Sequence, residues 1–352
     1  MKTTTPGLID LYKNSLVKNS ELKAFSDYNG DSFTYHDVAR RILLIHGILQ
    51  AAGVGKGDKI ALFGKNSSSW AITYLAVQTY GAVIVPILPD FKPVDVQVII
   101  NHSDSVLVFA DDFLYKDLKP VEMPDVRLFL KIQDLSILHT STESVIGSIQ
   151  LLMEKDSLQK KQPLTPDNLH FAPSSPDDLA VISYTSGTTG FSKGVMLQHK
   201  SLCGNILYAQ QNMPLNPRDK ILSFLPLAHT YGCAFEFLFP FTLGCDITFL
   251  TKTPSPKIIL QAFQEIKPSL ILSVPLVIEK IYKTQIIPVM RKIPMKILTR
   301  APLINRIIFK KIKEKLFNVF GGNFRELVIG GAAFNTEAER FFKKIGFPFT
   351  VG

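Results

Sequence analysis

The sequence is poor in cysteine and lacks a cleavable leader pattern at its start. Its 352 residues include three cysteines, Cys203, Cys233 and Cys245, which are too few and too scattered for a disulfide framework or a zinc site. The first fifteen residues lack the apolar core of a signal peptide. We therefore expect reduced thiols in a cytoplasmic protein.

A long, uninterrupted apolar run is also missing. The most apolar region, residues 221–250, is broken by proline and by polar side chains. The interrupting residues are Pro226, His229, Glu236, Pro240 and Asp246. A membrane-spanning helix needs about 20 nearly uninterrupted apolar residues, so we interpret this region as core. With 46% hydrophobic residues over 352 positions, the chain is expected to fold as two packed units.

Positive charge is concentrated in one region of the chain. The formal net charge is +9, and residues 257–344 contain 17 Lys and Arg against 6 Asp and Glu, so the rest of the chain is close to −2. Such a region attracts phosphates, anionic lipid or nucleic acid without selecting among them. No homeodomain, zinc-finger or RNP-like pattern accompanies it, so we expect no nucleic-acid partner.

Short apolar runs alternate with helical periodicities along the chain, which predicts an α/β fold with mostly parallel sheets. The predicted strands lie at residues 59–65, 82–88, 105–110, 179–185, 194–197, 220–226, 245–251, 269–274 and 325–331. The predicted helices lie at residues 34–53, 67–81, 93–102, 231–243, 303–320 and 336–344, with others beginning at 199, 256 and 275. A polar stretch at 155–178 separates the two series. It predicts α/β subdomains over residues 1–175 and 176–352.

One short segment, "YTSGTTGFSKGV" at residues 184–195, concentrates groups that bind anions. It contains glycines that can turn backbone N–H groups toward a phosphate, hydroxyl donors, and one lysine. These residues are Gly187, Gly190, Gly194, Thr185, Ser186, Thr188, Thr189 and Lys193. The spacing differs from the P-loop pattern, because Lys193 precedes a glycine and is followed by no Ser or Thr. Phosphate binding is the favoured interpretation, and an ordinary flexible turn is the alternative.

The segment resembles the signature phosphate loop of the adenylate-forming superfamily, which includes acyl-CoA synthetases, luciferases and adenylation domains. Ser192 stands where that loop commonly has proline. Three further segments resemble the superfamily in the same order: "GVGKGDKIALFGKNSSSWAITYLAVQTYGAVIVPI", "LPLAHTYG" and "LVIGGAAFNTEAERFFKKIGFPFTVG". Within it, "SVPLVIEKIY" is similar to a segment of long-chain fatty acyl-CoA synthetases, although Leu276 stands where those enzymes often carry a basic residue.

The resemblance implies a fold and a set of site residues. The fold is the large N-terminal domain of adenylate-forming enzymes, with two mostly parallel sheets and helices packed around them. The triphosphate of ATP, and then the leaving pyrophosphate, would be held by Thr185, Ser186, Gly187, Thr188, Thr189, Gly190 and Lys193, with Thr185 beside Mg²⁺. Lys193 and His229 would act in catalysis, His229 where the acyl group meets the nucleotide. Gly330, Gly331, Ala332 and Ala333 would form a wall beside adenine.

Each of these residues also has a structural interpretation. Without the resemblance, a histidine that lies among Leu, Ala and Tyr, as His229 does, would more often be a core residue. Gly330 and Gly331 could simply end a strand. Glu236 could face the pocket or could equally be a charge on a helix surface.

The implied activity is that of a long-chain fatty acid–CoA ligase, which forms acyl-AMP and pyrophosphate and then transfers the acyl group to coenzyme A. The partners would then be a fatty acid, ATP and CoA. The alternatives are an acyl-AMP ligase that loads a carrier protein, and a non-catalytic lipid- or nucleotide-binding module. A homodimer is compatible with the sequence.

The sequence ends at "FPFTVG", where the family motif Tyr-Gly-x-Thr-Glu begins. The ribose-binding aspartate and the small C-terminal domain of the family are therefore missing from it. We expect a fragment that binds nucleotide weakly and does not turn over alone.

A basic amphipathic helix is predicted at residues 304–320. Ile304, Ile308, Ile312 and Leu316 repeat every four residues with lysines between them. The helix could lie on an anionic membrane at the inner face, or it could pack its apolar stripe inward.

Overall fold

The structure is a computed structural model that describes residues 6–158, 165, 167–185, 193–290 and 302–352. The described part is an α/β fold with three sheets. In chain order the strands are β1 Lys23–Asp27, β2 Ser32–Thr34, β3 Lys59–Phe63, β4 Val83–Ile87, β5 Ser105–Ala110, β6 Leu128–Lys131, β7 Ile137–Thr140, β8 Leu179–Thr185, β9 Lys193–Gln198, β10 Lys220–Ser223, β11 Asp246–Phe249, β12 Leu270–Ser273, β13 Glu326–Ile329 and β14 Phe349–Val351.

The helices cover the faces of these sheets. They are α1 Leu8–Lys18, α2 Tyr35–Ala51, α3 Ser68–Tyr80, α4 Pro93–His102, α5 Asp112–Tyr115, α6 Ser144–Leu158, α7 His199–Asn212, α8 Thr230–Gly232, α9 Phe239–Leu243, α10 Pro256–Ile266, α11 Pro275–Ile281, α12 Ile287–Met290, α13 Pro302–Val319 and α14 Thr336–Lys344. A 3₁₀ turn lies at Pro120–Glu122, and π-helical turns lie at Cys233–Leu238 and Tyr282–Ile286.

The largest sheet has seven strands in the order β7-β6-β5-β3-β4-β8-β9. Its centre is parallel, and the two outer pairs, β6 with β7 and β8 with β9, are antiparallel. The second sheet has the order β10-β11-β1-β2, and the third is a parallel sheet of β12, β13 and β14. The second and third sheets adjoin, because the Ser269 N–H donates to the Lys220 carbonyl at 2.8 Å.

Strands from distant parts of the chain share these sheets. Strand β1 pairs in parallel with β11, while β8 and β9 extend the sheet built from β3 to β7. Residue 175 therefore does not separate one sheet from another. The division at that residue stays a prediction about folding units.

One aromatic cluster joins the N-terminal strand to the second half of the chain. The Phe25 ring lies 5.8 Å from Phe237, 5.4 Å from Phe241 and 5.4 Å from Phe249, measured between centroids. All four side chains are fully buried. Large buried rings contribute strongly to core stability, so this cluster holds β1 against the region that carries the candidate site.

Local signals place several helix ends where the sequence predicts them. At the start of α2, the Asp37 N–H donates to Thr34 Oγ1 at 3.1 Å and the Thr34 N–H donates to Asp37 Oδ2 at 2.9 Å. This reciprocal pair is a capping box. Gly53, with φ 67°, lies just after the end of that helix.

The basic helix packs its apolar stripe inward. Leu316 and Ile312 of α13 are buried and Ile308 packs against the core, while Lys310, Lys311 and Lys315 are exposed. The inward-packing interpretation therefore describes this stripe, and the outer face is basic. Among the described residues, no helix combines the length and the apolar character needed to cross a membrane.

We predict opposite effects for alanine at two glycines. Gly321 follows α13 with φ 93°, and a Cβ there would overlap the backbone oxygen of Phe263, so Gly321→Ala should lower the free energy of unfolding by about 2 kcal/mol or more. Gly204 lies within α7 with no atom within 4 Å of a Cβ, so Gly204→Ala should raise it by up to about 1 kcal/mol. Urea denaturation measures both, and equal effects would contradict the local geometry.

Candidate functional site

The predicted phosphate segment lies at the end of a β-hairpin. Strands β8 and β9 pair so that Thr185 stands directly opposite Lys193, and both residues are exposed. The side chains of Thr185 and Lys193 therefore start from neighbouring positions at the end of the sheet. Ser186, Gly187, Thr188, Thr189 and Gly190 lie outside the described residues, so their predicted roles stay predictions.

The base of this hairpin is tightly packed. A Cβ on Gly194 would lie 3.0 Å from Ile182 Cγ2 and 3.1 Å from the Tyr184 ring, so only glycine fits here without displacement. The Tyr184 hydroxyl lies 2.7 Å from His102 Nδ1. Burial raises the pKa of Tyr184, which keeps its hydroxyl protonated at neutral pH. These contacts hold Lys193 at a defined position beside β8.

His229 lies in the segment between β10 and α8. Its backbone N–H donates to the Pro226 carbonyl at 3.1 Å, and its own carbonyl accepts from the Cys233 N–H at 3.0 Å. The residue is partly open to solvent, so the core-histidine interpretation does not describe it. Partial burial lowers its pKa, so the imidazole is neutral at pH 7 and can accept as well as donate.

Tyr231 connects this segment to the predicted adenine wall. A Cβ on Gly330 would lie 2.9 Å from Cζ of the Tyr231 ring, so the ring lies directly against that glycine. The Gly330 N–H donates to the Ser273 carbonyl at 3.0 Å. Gly331, with φ 86°, and the exposed residues Ala332 and Ala333 follow. The predicted His229 and adenine-wall segments therefore meet, through a tyrosine that our sequence analysis did not select.

A small cavity joins the hairpin to the His229 segment. Its volume is about 10 Å³, which is room for roughly one water molecule. Its walls include Val181, Ser183, Leu197, Tyr74, Leu227, Ala228, Thr230 and Cys233. Burial raises the pKa of the Cys233 thiol to about 12, so this group is a neutral part of an apolar wall. The strands that flank the predicted phosphate segment and the histidine motif thus line one apolar space.

Glu236 is fully buried, so its interpretation as a surface charge is wrong. Its Oε2 atom accepts from Ser223 Oγ at 3.1 Å, from the Phe224 N–H at 3.0 Å and from the Leu225 N–H at 2.9 Å. Its Oε1 atom has no hydrogen-bond partner among the described residues. The three donors favour the carboxylate, but burial outweighs them and raises the pKa of Glu236 well above its ordinary value. A neutral carboxyl group results.

The Tyr231 hydroxyl also has no partner within the described part of the chain. Burial raises the pKa of Tyr231. Unpartnered buried polar atoms are uncommon and call for an explanation. The sequence signal for Tyr231 is its position two residues after His229 in the same motif.

No group of three or more His, Cys, Asp or Glu side chains suited to a metal ion occurs in the described ranges. Thr185 contributes a single neutral oxygen. Mg²⁺ commonly binds through substrate phosphates with few protein ligands, so one hydroxyl suits an ion that arrives with a nucleotide.

The family model for the AMP-binding enzyme matches residues 13–351. Long chain acyl-CoA synthetase 7, peroxisomal, of Arabidopsis thaliana is 27% identical over 333 residues, which cover 88% of this chain and 45% of that protein. Long-chain-fatty-acid--[acyl-carrier-protein] ligase AEE15, chloroplastic, of the same plant is 29% identical over 284 residues, which cover 78% of this chain and 38% of that protein. The chain spans about half the length, or less, of these relatives.

A solved structure shares the fold. The inhibitor-bound N-terminal domain of FACL13 from Mycobacterium tuberculosis superposes with a TM-score of 0.71 at 18% identity, covering 98% of this chain and 75% of that one. The predicted α/β fold and its resemblance to the N-terminal domain of adenylate-forming enzymes are confirmed.

We predict that Glu236→Gln changes how stability depends on pH. As pH rises above the ordinary carboxyl pKa of 4.5, the unfolded chain loses this proton while the folded chain keeps it. Folding of the wild type is then progressively disfavoured, by up to about 1.4 kcal/mol per pH unit. Glutamine keeps the three accepted hydrogen bonds and does not ionise. Its melting temperature relative to wild type should therefore increase from pH 5 to pH 8.

Thermal melts at a series of pH values measure this difference. The exposed Glu314→Gln corrects for the loss of one carboxyl group from the chain. A constant difference between Glu236→Gln and wild type across the series would show that Glu236 is ionised in the folded protein.

Proposed function

Because the chain belongs to the AMP-binding enzyme family, we propose that it forms the ATP- and acyl-binding part of a long-chain fatty acid–CoA ligase. The observation that carries this proposal is an apolar cavity lined both by β8 and β9, the strands of the Thr185–Lys193 hairpin, and by Leu227, Ala228 and Thr230, which flank His229. Tyr231 of the same motif packs on Gly330. Nucleotide-binding groups and an apolar space in one place suit the joining of a lipid carboxylate to a nucleotide.

In the proposed first step, an oxygen of the fatty acid carboxylate attacks the α-phosphorus of ATP. The bond from that phosphorus to the bridging oxygen breaks, and pyrophosphate leaves with the electron pair. The carboxylate is already a nucleophile, so no activated serine or cysteine is needed. Lys193 and the hydroxyl group of Thr185 would stabilise charge on the leaving phosphates. The ion of Mg·ATP, beside Thr185, would neutralise phosphate charge.

In the proposed second step, the thiol of coenzyme A attacks the acyl carbonyl. A carbon–sulfur bond forms, the carbon–oxygen bond to phosphate breaks, AMP leaves, and the thiol proton is released. The neutral imidazole of His229 and the hydroxyl of Tyr231 would lie near the reacting carbonyl, since their segment borders the cavity. The cavity holds about one water molecule, so its walls must separate to admit an acyl chain.

Transfer to a carrier protein is the second candidate. The similarity to the acyl-carrier-protein ligase of Arabidopsis thaliana supports it. Isothermal titration of the chain with CoA and with a phosphopantetheine-bearing carrier protein, each in the presence of a 16-carbon alkylsulfamoyl adenosine, distinguishes the two, because only the proper acceptor should bind. A non-catalytic module would bind neither acceptor.

We predict that the chain binds ATP through Lys193 and binds longer acyl-adenylate mimics more tightly than shorter ones. Isothermal titration with ATP and with alkylsulfamoyl adenosines of 2, 8 and 16 carbons measures both. Lys193→Ala should weaken ATP binding about tenfold, because a charge-assisted contact contributes roughly 1.5 kcal/mol or more. The exposed Lys116, which pairs with Asp112 at 3.6 Å, supplies the control variant Lys116→Ala.

Equal ATP affinity in Lys193→Ala and wild type would overturn the phosphate-site assignment. Equal affinity for all three chain lengths would overturn the assignment of a long-chain substrate while leaving the nucleotide site intact.

We also propose that the outer face of α13 contacts anionic membrane. Lys310, Lys311 and Lys315 are exposed there, and Ile307 beside them is 60% exposed. Lys311 and Lys315 also line a groove of about 610 Å³ between this helix and α10, where Leu260 adds apolar surface. A basic face with an exposed apolar side chain suits an interfacial position.

The expected outcome is binding to phosphatidylcholine vesicles only when phosphatidylserine is included. The triple variant Lys310→Glu, Lys311→Glu, Lys315→Glu should bind at least tenfold less, since each lysine contributes about 1 kcal/mol near such a surface. Glutamates at Lys116, Lys119 and Lys131 give the same net charge elsewhere on the protein. If this control loses as much binding in vesicle sedimentation, the assignment to α13 is wrong.

A further inference from the structure

The segment from Phe224 to His229 belongs to no helix or strand, and it carries His229 and leads directly into the short helix that contains Tyr231. Backbone N–H groups in such a segment need partners, because an unpaired buried donor is costly. In this segment the partners of three of those groups are side chains from elsewhere in the fold. These side chains are those of Glu236 and Asn66, and they fix the backbone that leads to His229.

Glu236 supplies the first attachment. Its Oε2 atom accepts from the N–H groups of Phe224 and Leu225 at 3.0 and 2.9 Å, immediately after β10 ends, and from Ser223 Oγ at 3.1 Å. The residue lies in the π-helical turn Cys233–Leu238 and is completely buried. One carboxyl oxygen therefore ties the start of the segment to the helix that follows it. π-Helical turns occur frequently at functional sites.

Asn66 supplies the second attachment from the opposite side. Its Nδ2 atom donates to the Leu225 carbonyl at 2.7 Å, and its Oδ1 atom accepts from the Leu227 N–H at 3.0 Å. Both ends of one amide thus hold two residues of the segment. Asn66 follows β3 of the seven-stranded sheet, whereas Ser223 ends β10 of the second sheet. This pair of hydrogen bonds joins the two sheets at the candidate site.

Gly232 limits how far the segment can shift. A Cβ at this position would lie 2.8 Å from the Pro226 carbonyl oxygen, so α8 packs directly on the segment. Tyr231, one residue earlier, lies against Gly330. Movement of residues 224–227 would therefore be transmitted to both His229 and Tyr231.

We propose that Asn66 and Glu236 are positioning residues that clamp residues 223–227 and thereby hold His229 and Tyr231 at the acyl side of the site. This inference rests on the proposed function for the meaning of the acyl side. Neither residue needs to touch substrate. The phosphate-binding Lys193 lies on a different element and is not attached to the clamp, so acyl and nucleotide binding should respond differently when the clamp is removed.

The test compares Glu236→Ala, Asn66→Ala and Glu236→Gln in the 352-residue chain. Isothermal titration with ATP and with 16-carbon alkylsulfamoyl adenosine gives the ligand readout. Each alanine variant should weaken the alkylsulfamoyl adenosine about tenfold or more, since small misplacement of a site is costly. ATP should be weakened by a clearly smaller factor, because on the nucleotide side only the contact of Tyr231 with Gly330 is disturbed. Glutamine keeps an acceptor at the Oε2 position and should restore wild-type affinity.

Carbon-13 NMR of the histidine rings gives a readout that does not depend on ligand. His229, assigned with His229→Gln, has a pKa lowered by its partial burial. Release of its segment into solvent should raise that pKa toward the ordinary 6.5 in both alanine variants, and Glu236→Gln should return it. Gln97→Ala provides the control, because Gln97 is buried on α4 and accepts from the Lys119 N–H at 3.1 Å.

The outcomes separate the clamp from the proposed function. If Gln97→Ala shifts the His229 titration and the affinity ratio as much as the clamp variants do, general destabilisation explains the effect and the clamp is overturned. If wild type binds neither ligand, the proposed function fails, and the His229 titration alone decides the clamp: a shift restored by glutamine supports it, and no shift overturns it. If Glu236→Ala does not fold, Asn66→Ala provides the same comparison, because Asn66 is only half-buried.

Discussion

The parallel pairing of β1 with β11 is the interaction on which the rest of the architecture depends. It places Phe25 beside Ile247 in register and buries its ring among Phe237, Phe241 and Phe249. Strands β8 and β9 of the second half in turn extend the first sheet, so each of these two sheets contains strands from both halves of the chain. The larger of the two hydrophobic clusters runs through both halves of the chain, and the candidate site lies where the exchanged strands bring the two sheets together.

The site has an exposed cation at its edge and a largely neutral interior. Lys193 is exposed at the end of the hairpin, where a cation costs little to maintain. Behind it, burial raises the pKa of the Glu236 carboxyl and of the Cys233 thiol, and partial burial lowers the pKa of the His229 imidazole, so each shift favours the neutral form. Isolated charges are strongly disfavoured in an apolar interior. A neutral lining of this kind suits an acyl group, while the exposed edge suits phosphate.

Much of the secondary structure could be predicted because it follows from local rules. Helix α4 begins at a proline and ends at His102 as the pattern predicts, β5 and α14 have the predicted bounds, and the Thr34–Asp37 capping box forms. Strands β1, β2, β6 and β7 were not predicted. They are three to five residues long, and their stability comes from partners elsewhere in the sheet rather than from their own periodicity.

The sequence by itself determined the family resemblance, the α/β alternation, the phosphate segment around Lys193 and the histidine motif at 225–232, because these depend on residue type and close spacing. Only the tertiary structure decided that Thr185 faces Lys193, that Tyr231 packs on Gly330, and that Glu236 and Asn66 hold the same segment from opposite sides. Asn66 and Leu225 are 159 positions apart. The contact between them depends on how two sheets exchange strands, and no local pattern in the chain encodes that exchange.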